Sequence, residues 1–266
     1  METSHKNRWI TALVALPLLI VLILKGGAFL FSFLLIAVSG IGFYEWQKIT
    51  NIKHYSLERA KNIPFLFIPV LYFFSFYSPS SHILAAMLSA GAILFALLKG
   101  FDGTESHFKG SIYILTGFIY SSIFLSFASR IMIETGPKGL FFLLITVFAS
   151  DTGAFYAGRK FGKNKLMENV SPKKTIEGFA GGFVLSVFAA ILCKIIFFEE
   201  LLFFNALLCG IAAGALVPLG DLFESMTKRV FNVKDSGNIL PGHGGILDRI
   251  DGLLFAVPVF YILYTF

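Results

Sequence analysis

Apolar residues run through this chain in long blocks broken by short polar stretches, and the block lengths carry the first reading. A helix that crosses a bilayer needs roughly 17–25 predominantly apolar residues, fewer where flanking side chains snorkel. About nine stretches meet that description, at 10–24, 28–44, 63–76, 83–98, 112–129, 139–157, 176–198, 201–219 and 250–266. The third is the shortest. The first two are separated only by Lys25, Gly26 and Gly27, which predicts a tight helical hairpin. Lys6 and Arg8 precede the first block in the manner of a signal peptide. No small-x-small cleavage site leading into a soluble domain follows, so the block is read as a retained span.

Composition agrees with the pattern. Of 266 residues, 56% are hydrophobic and only 14% are charged, against roughly 25% charged in a soluble domain. The expectation is an all-α polytopic integral membrane protein forming a single domain over residues 1–266. Residues 1–110 carry little polar chemistry, and residues 111–266 carry the motifs. Glu45 and Trp46 close the second span, with Trp46 expected as an aromatic-belt anchor. Cys193 and Cys209 fall inside apolar runs, where a small hydrophobe is the ordinary role, and point to neither disulfide nor metal.

The net charge of +6 would fit a nucleic-acid binder, but the basic residues sit in the connections between spans. Anionic lipid headgroups and an anionic substrate are the partners this favours, and nucleic acid is not. With nine spans, eighteen of the 22 basic residues fall on the side of the N-terminus. Three fall on the other side (Lys25, Arg130, Lys138), and Lys194 lies within a span. The positive-inside rule then places the N-terminus and the polar segment 225–251 in the cytoplasm, at a bacterial inner membrane.

That segment concentrates the chemistry. It holds Lys228, Arg229, Lys234, Asp235, Asp248, Arg249 and Asp251, with Gly237, Pro241, Gly242, Gly244 and Gly245 interrupting any long helix. Cations for phosphate, carboxylates for a divalent metal and bare backbone amides together point to phosphoryl-group chemistry. Asp221 and Glu224 lie three apart, on one helix face if the helix continues past Pro218, and Asp248 and Asp251 repeat the spacing. A helix N-terminus by itself accounts for one such acid. Acids converging from two spans are better matched to Mg²⁺, with Asp221 and Asp248 as ligands and Asp251 or Asp151 in support. Asp151 is either a functional intramembrane acid or a vestibule residue beside helix-packing Ser150 and Thr152.

Ser171 is expected to cap a helix that starts at Pro172, placing Lys173, Lys174 and Thr175 on an anion-attracting first turn. Lys174 and Thr175 are read as phosphate contacts, and Arg159, Lys160, Lys163 and Lys165 as topology-fixing charges. His243, flanked by glycines, is either a phosphate-contacting or ligand-orienting group or a solvated loop histidine. No Ser-His-Asp or Cys-His arrangement is present, and Gly-His-Gly-Gly lacks the Gly-Lys-Ser/Thr of a Walker loop.

From Ser225 to Asp251 the chain reads Ser-x-x-Lys-Arg, four residues, Lys-Asp-x-Gly, then Pro-x-His-Gly-Gly-x-x-Asp-Arg-x-Asp. This resembles the signature of the phosphatidate cytidylyltransferase (CDP-diacylglycerol synthase) family. The runs Ser-Asp-Thr-Gly-Ala-Phe at 150–155 and Ser-Pro-Lys-Lys-Thr-x-Glu-Gly at 171–178 resemble it too. Thr227 departs from the family's usual apolar residue. The resemblance covers the C-terminal half, and the first four spans match in hydropathy alone.

It implies transfer of cytidylyl from CTP to phosphatidate in phospholipid biosynthesis, with Mg²⁺ and room for a second cation, in a cavity open to the cytoplasm. Asp221, Asp248, Asp251, Lys228 and Arg229 would be catalytic, the three acids holding metal. Ser225, Lys234, Asp235, His243, Gly244, Gly245, Arg249, Lys174, Thr175 and Asp151 would bind substrate, and a homodimer is compatible with the resemblance. A transporter of an anionic substrate or another membrane phosphotransferase are the alternatives, although the polar chemistry lies on one side only, unlike matched broken helices in two halves.

Overall fold

The structure, a computed structural model, describes residues 16–55, 57, 60–239 and 244–265. Pro241, Gly242 and His243 therefore lie outside the described residues, as do Lys6, Arg8, Arg59 and the start of the first predicted span. The described chain is nearly all-α. In order come α1 (Leu16–Lys25), α2 (Gly27–Ile49), a 3₁₀ turn (Ile52–His54), α3 (Ile63–Ser75), α4 (Pro79–Lys99) and α5 (Glu105–Phe118). A π-helical turn (Ile119–Ile123) leads into α6 (Phe124–Phe161). A hairpin of β1 (Lys165–Met167) and β2 (Ser171–Thr175) is followed by α7 (Ile176–Phe197), α8 (Phe203–Val230) and α9 (Leu247–Thr265).

Among the described residues, five helical stretches are long and apolar enough to cross a membrane: α2, α4, the stretch Glu105–Phe161, α7 and α8. The third fuses two predicted spans, but its backbone leaves helical geometry at Gly136 (φ 65°, ψ −160°), directly before Pro137. A positive φ is open to glycine, and proline cannot continue the hydrogen-bonded ladder, so the pair makes the break. Helices α1 and α3 are apolar but shorter. Phe29, Phe33, Leu66, Met87 and Phe95 are two-thirds or more exposed. Such surfaces suit lipid, since in hydrocarbon the helices already satisfy their own backbone groups.

Helix starts are readable from local chemistry. Ser78 and Ser81 form a capping box before α4, with Pro79 at the first position. The Thr104 hydroxyl accepts from His107 N at 3.1 Å before α5. At α7 the sequence expectation needs correction. Thr175, not Ser171, is the cap, its hydroxyl accepting from Gly178 N at 3.1 Å. Residues 171–175 are extended because they pair with β1, so Lys173 and Lys174 stand on a strand rather than on a helical turn.

The chain divides into two compact units: residues 1–133 with 231–249, and residues 134–230 with 250–266. In the first unit Trp46 is 2% exposed and donates from Nε1 to Tyr113 O at 2.8 Å. It is a core residue and not the aromatic-belt anchor expected of it, because Gly117 on α5 leaves the indole a place to lie. Ser39 and Tyr72 share a buried hydrogen bond of 2.7 Å between α2 and α3.

In the second unit small residues set the helix spacing, as is usual where helices associate in lipid. A Cβ at Gly182 would approach Ser150 O on α6 to 2.7 Å, and one at Gly210 would approach Val187 Cα on α7 to 2.7 Å.

Gly117→Ala should drive a methyl into the Trp46 ring and destabilise the first unit by about 1–3 kcal/mol. The expected readout is a lower thermal midpoint in detergent, whereas an unchanged midpoint would show that the indole repacks freely.

Candidate active site

Helix α8 runs unbroken through Pro218, so Asp221, Glu224, Ser225 and Lys228 fall on successive turns of one face. Helix α9 approaches it at backbone distance, since a Cβ at Gly220 would strike the Asp251 carbonyl and one at Gly252 would come within 3.2 Å of Val217 O. Glycine at both positions is a packing requirement here. It brings the Asp251 carboxyl within electrostatic reach of Asp221, which also feels the charge of Asp151 from α6.

Cations answer these acids from two directions. Lys174 Nζ, carried on β2, lies 2.7 Å from Asp221 Oδ2 and 3.4 Å from Pro218 O. Lys228 Nζ lies 2.7 Å from Oε2 of Glu224, which is fully buried, and its charge also reaches Asp251. Ser225 Oγ donates to Asp221 Oδ1 at 3.2 Å. Thr175 sits beside Lys174, and its hydroxyl oxygen accepts from Gly178 N as the α7 cap. Thr227 is buried and its hydroxyl bonds the Phe223 carbonyl four residues back, so its departure from an apolar residue leaves no polar group unsatisfied.

Arg229 points elsewhere. It is exposed, and its Nε donates to Val170 O in the hairpin turn at 3.3 Å, bracing that turn. Glu177 anchors the other end of the hairpin region by accepting from Lys163 N, Asn164 N and Asn164 Nδ2.

The remaining predicted residues lie in the first unit, on the segment 231–249. Lys234, Asp235 and Arg249 are exposed. Asp248 Oδ2 accepts from Ser236 N, Ser236 Oγ and Gly245 N, each at 2.9 Å. Gly244 has φ 84°, a backbone angle that calls for glycine's conformational freedom. Sequence reasoning passed over Glu45 and Ser236, which hold this segment. The available signal was a lone carboxylate at the end of an apolar run.

Among the described residues no group of three or more His, Cys, Asp or Glu side chains could hold a metal ion. Mg²⁺ does not require one, because it takes one or two carboxylates and completes its shell with water and substrate phosphate. Asp221 and Asp251 supply hard oxygen donors of that kind, and like charges held together are what a cation would relieve. The donor set fits the ion.

The arrangement can thus bind anions through lysines and a cation through paired acids. Comparison with known proteins gives this chemistry its family. Residues 6–266 match the model of the cytidylyltransferase family. The chain belongs to that family. It is 32% identical to the phosphatidate cytidylyltransferase of Bacillus subtilis (strain 168) over 271 residues, covering 97% of each chain. It is 35% identical to that of Staphylococcus saprophyticus over 268 residues, covering 97% of this chain and 98% of the relative. The phosphatidate cytidylyltransferase of Thermotoga maritima is 36% identical over 201 residues, 74% of this chain and 73% of the relative.

Within this family member, Glu224→Ala should strip the buried partner from Lys228 and cost about 3 kcal/mol or more. A double change, Glu224→Leu with Lys228→Met, should recover most of that stability by removing both charges. Thermal unfolding of the detergent-solubilised protein checks both. A single variant as stable as wild type would show that Lys228 relaxes to solvent without cost.

Proposed function

We propose that this chain transfers the cytidylyl group from CTP to phosphatidate, releasing pyrophosphate and forming CDP-diacylglycerol. The observation that carries the reading is the set of acids from α6, α8 and α9 answered by Lys174 and Lys228 in one unit. Family membership and the full-length relatives support it.

In the reaction a phosphate oxygen of phosphatidate bonds to the α-phosphorus of CTP, and the bond from that phosphorus to the α–β bridging oxygen breaks. The electron pair leaves with pyrophosphate. A phosphate monoester has a second pKa of about 6 and is largely dianionic at pH 7. No strong general base is needed, in keeping with the lack of a catalytic dyad in the sequence. The obstacle is to hold two polyanions in line while charge builds on the leaving group.

Asp221 and Asp251 would hold Mg²⁺, with Asp151 in support, while Asp248 braces its own segment through Ser236 and Gly245. The ion, when bound, neutralises phosphate charge as a Lewis acid. Lys174 and Lys228 bind and orient phosphates, and Ser225 steadies Asp221. Lys234, Asp235 and Arg249, with the Gly244 amide and His243, would serve the nucleotide's triphosphate. Arg229 acts through the hairpin turn it holds. The chain would cross the inner membrane nine times, its N-terminus and site facing the cytoplasm, so that the diacyl tails stay in the bilayer.

The test is labelled CTP with phosphatidate vesicles and the purified, folded chain. Label passing to the lipid phase with release of pyrophosphate is expected, whereas uptake of label into vesicles without either would favour transport instead. Chelator should abolish turnover and Mg²⁺ restore it. Asp221→Asn and Asp251→Asn should each lower turnover by roughly 100-fold or more, and wild-type rates in either would remove that residue from the metal site.

A further inference from the structure

Glu45 is the only acid in α2 and is 1% exposed. A carboxylate in such a place is costly unless hydrogen bonds satisfy its oxygens. Three neutral donors do so, all from a segment some two hundred residues further along the chain. Ile246 N donates to Oε1 at 3.0 Å, Leu247 N to Oε2 at 2.9 Å, and Ser236 Oγ lies 3.2 Å from Oε2. The two amides open α9, where no intrahelical partner exists and the helix dipole favours negative charge.

The local sequence cannot supply this cap. Ile246 stands immediately before the helix and has no acceptor side chain, and Asp248 turns its Oδ2 back to Ser236 and Gly245. Helix α9 is therefore capped from α2.

Two glycines of the motif acquire a reason from the same carboxylate. Neither Gly237 nor Gly245 has a positive φ, so conformational freedom does not explain them. A Cβ at Gly237 would collide with Glu45 Oε1, and one at Gly245 would strike Ser236 Oγ and lie 2.6 Å from both Glu45 oxygens. Ser236 links the two acids, its Oγ 2.9 Å from Asp248 Oδ2 and 3.2 Å from Glu45 Oε2. Its single hydroxyl hydrogen serves one of them at a time, while backbone amides hold both throughout.

We propose that Glu45 is a positioning residue for cytidylyl transfer: reaching across from α2, its carboxylate clamps Ser236 against Ile246 and Leu247 and so fixes Lys234 and Arg249, the phosphate-binding cations beside those anchor points. It touches no substrate and acts through Ser236, Ile246 and Leu247. The inference rests on the cytidylyltransferase reading for its kinetic consequence and on the hydrogen bonds alone for its structural one.

The experiment uses the full chain in detergent or vesicles and compares wild type with Glu45→Gln and Ser236→Ala. Glu45→Gln keeps the size but replaces one accepting oxygen by an NH₂ that faces the same donors. It should raise the KM for CTP roughly tenfold, leave the KM for phosphatidate within about twofold, and speed hydrogen exchange at Ile246 and Leu247. Ser236→Ala should raise the KM for CTP severalfold in the same direction.

A lowered thermal midpoint with kcat and both KM values unchanged would mean a merely structural role and overturn the proposal. Should Glu45→Gln fail to fold, Ser236→Ala decides, and wild-type kinetics there overturn it. If wild type itself shows no turnover, the cytidylyltransferase reading fails instead. The clamp is then judged by exchange, where unchanged Ile246 and Leu247 amides in Glu45→Gln or, failing that, Ser236→Ala refute it.

Discussion

The approach of α8 and α9 at Gly220 and Gly252 is the contact on which the chemistry of the second unit depends. Two helices whose backbones meet without intervening Cβ atoms bring the groups at neighbouring positions together whether or not those groups attract. Here the neighbours are Asp221 and Asp251, which repel. Packing supplies the proximity, and the lysines on β2 and α8 make it tolerable. A larger residue at Gly220 would separate the acids before it altered any charge.

The same arrangement explains why a short β-hairpin interrupts an otherwise helical chain. Lys174 must reach Asp221 from outside α8, and a strand lets alternate side chains point to opposite sides while its partner strand holds it in place. Arg229 and Glu177 fasten the hairpin at its turn and its base. On the proposed function, the Lys174 ammonium beside Asp221 is the group placed to meet a substrate phosphate.

Much of this was legible in the residues themselves. The apolar blocks announced membrane helices, and the spacing of Asp221 and Glu224 announced their common face on a helix that continues past Pro218. The break between the spans at 112–129 and 139–157 was legible as well, because the polar gap between them holds Gly136 and Pro137, where the backbone leaves helical geometry. The hairpin was missed since Ser-Pro ahead of an apolar run is good helix-start chemistry, and only pairing with residues 165–167 overrides it. Trp46 was assigned to the interface because a tryptophan at the end of an apolar run looks alike whether it meets headgroups or a glycine on a neighbouring helix. Among the described residues Glu45 has no side-chain partner nearby in the sequence. Every group that explains it lies more than 190 residues away, and no window on the sequence contains both.

That last case separates two reasons for a glycine. Gly244 is glycine because of its backbone angle, and it would be so in isolation. Gly237 is glycine because a carboxylate from another helix occupies the space a side chain would need, and Gly245 because Ser236 Oγ and that carboxylate occupy it together. The first kind of constraint can be inferred from a turn, the second only from the packed structure. A motif that reads as one ligand-binding loop thus records two pressures: what the loop approaches and what holds it. In a chain with few charges, the acid that does the holding can look like an incidental residue at the end of a span until the donors around it are seen.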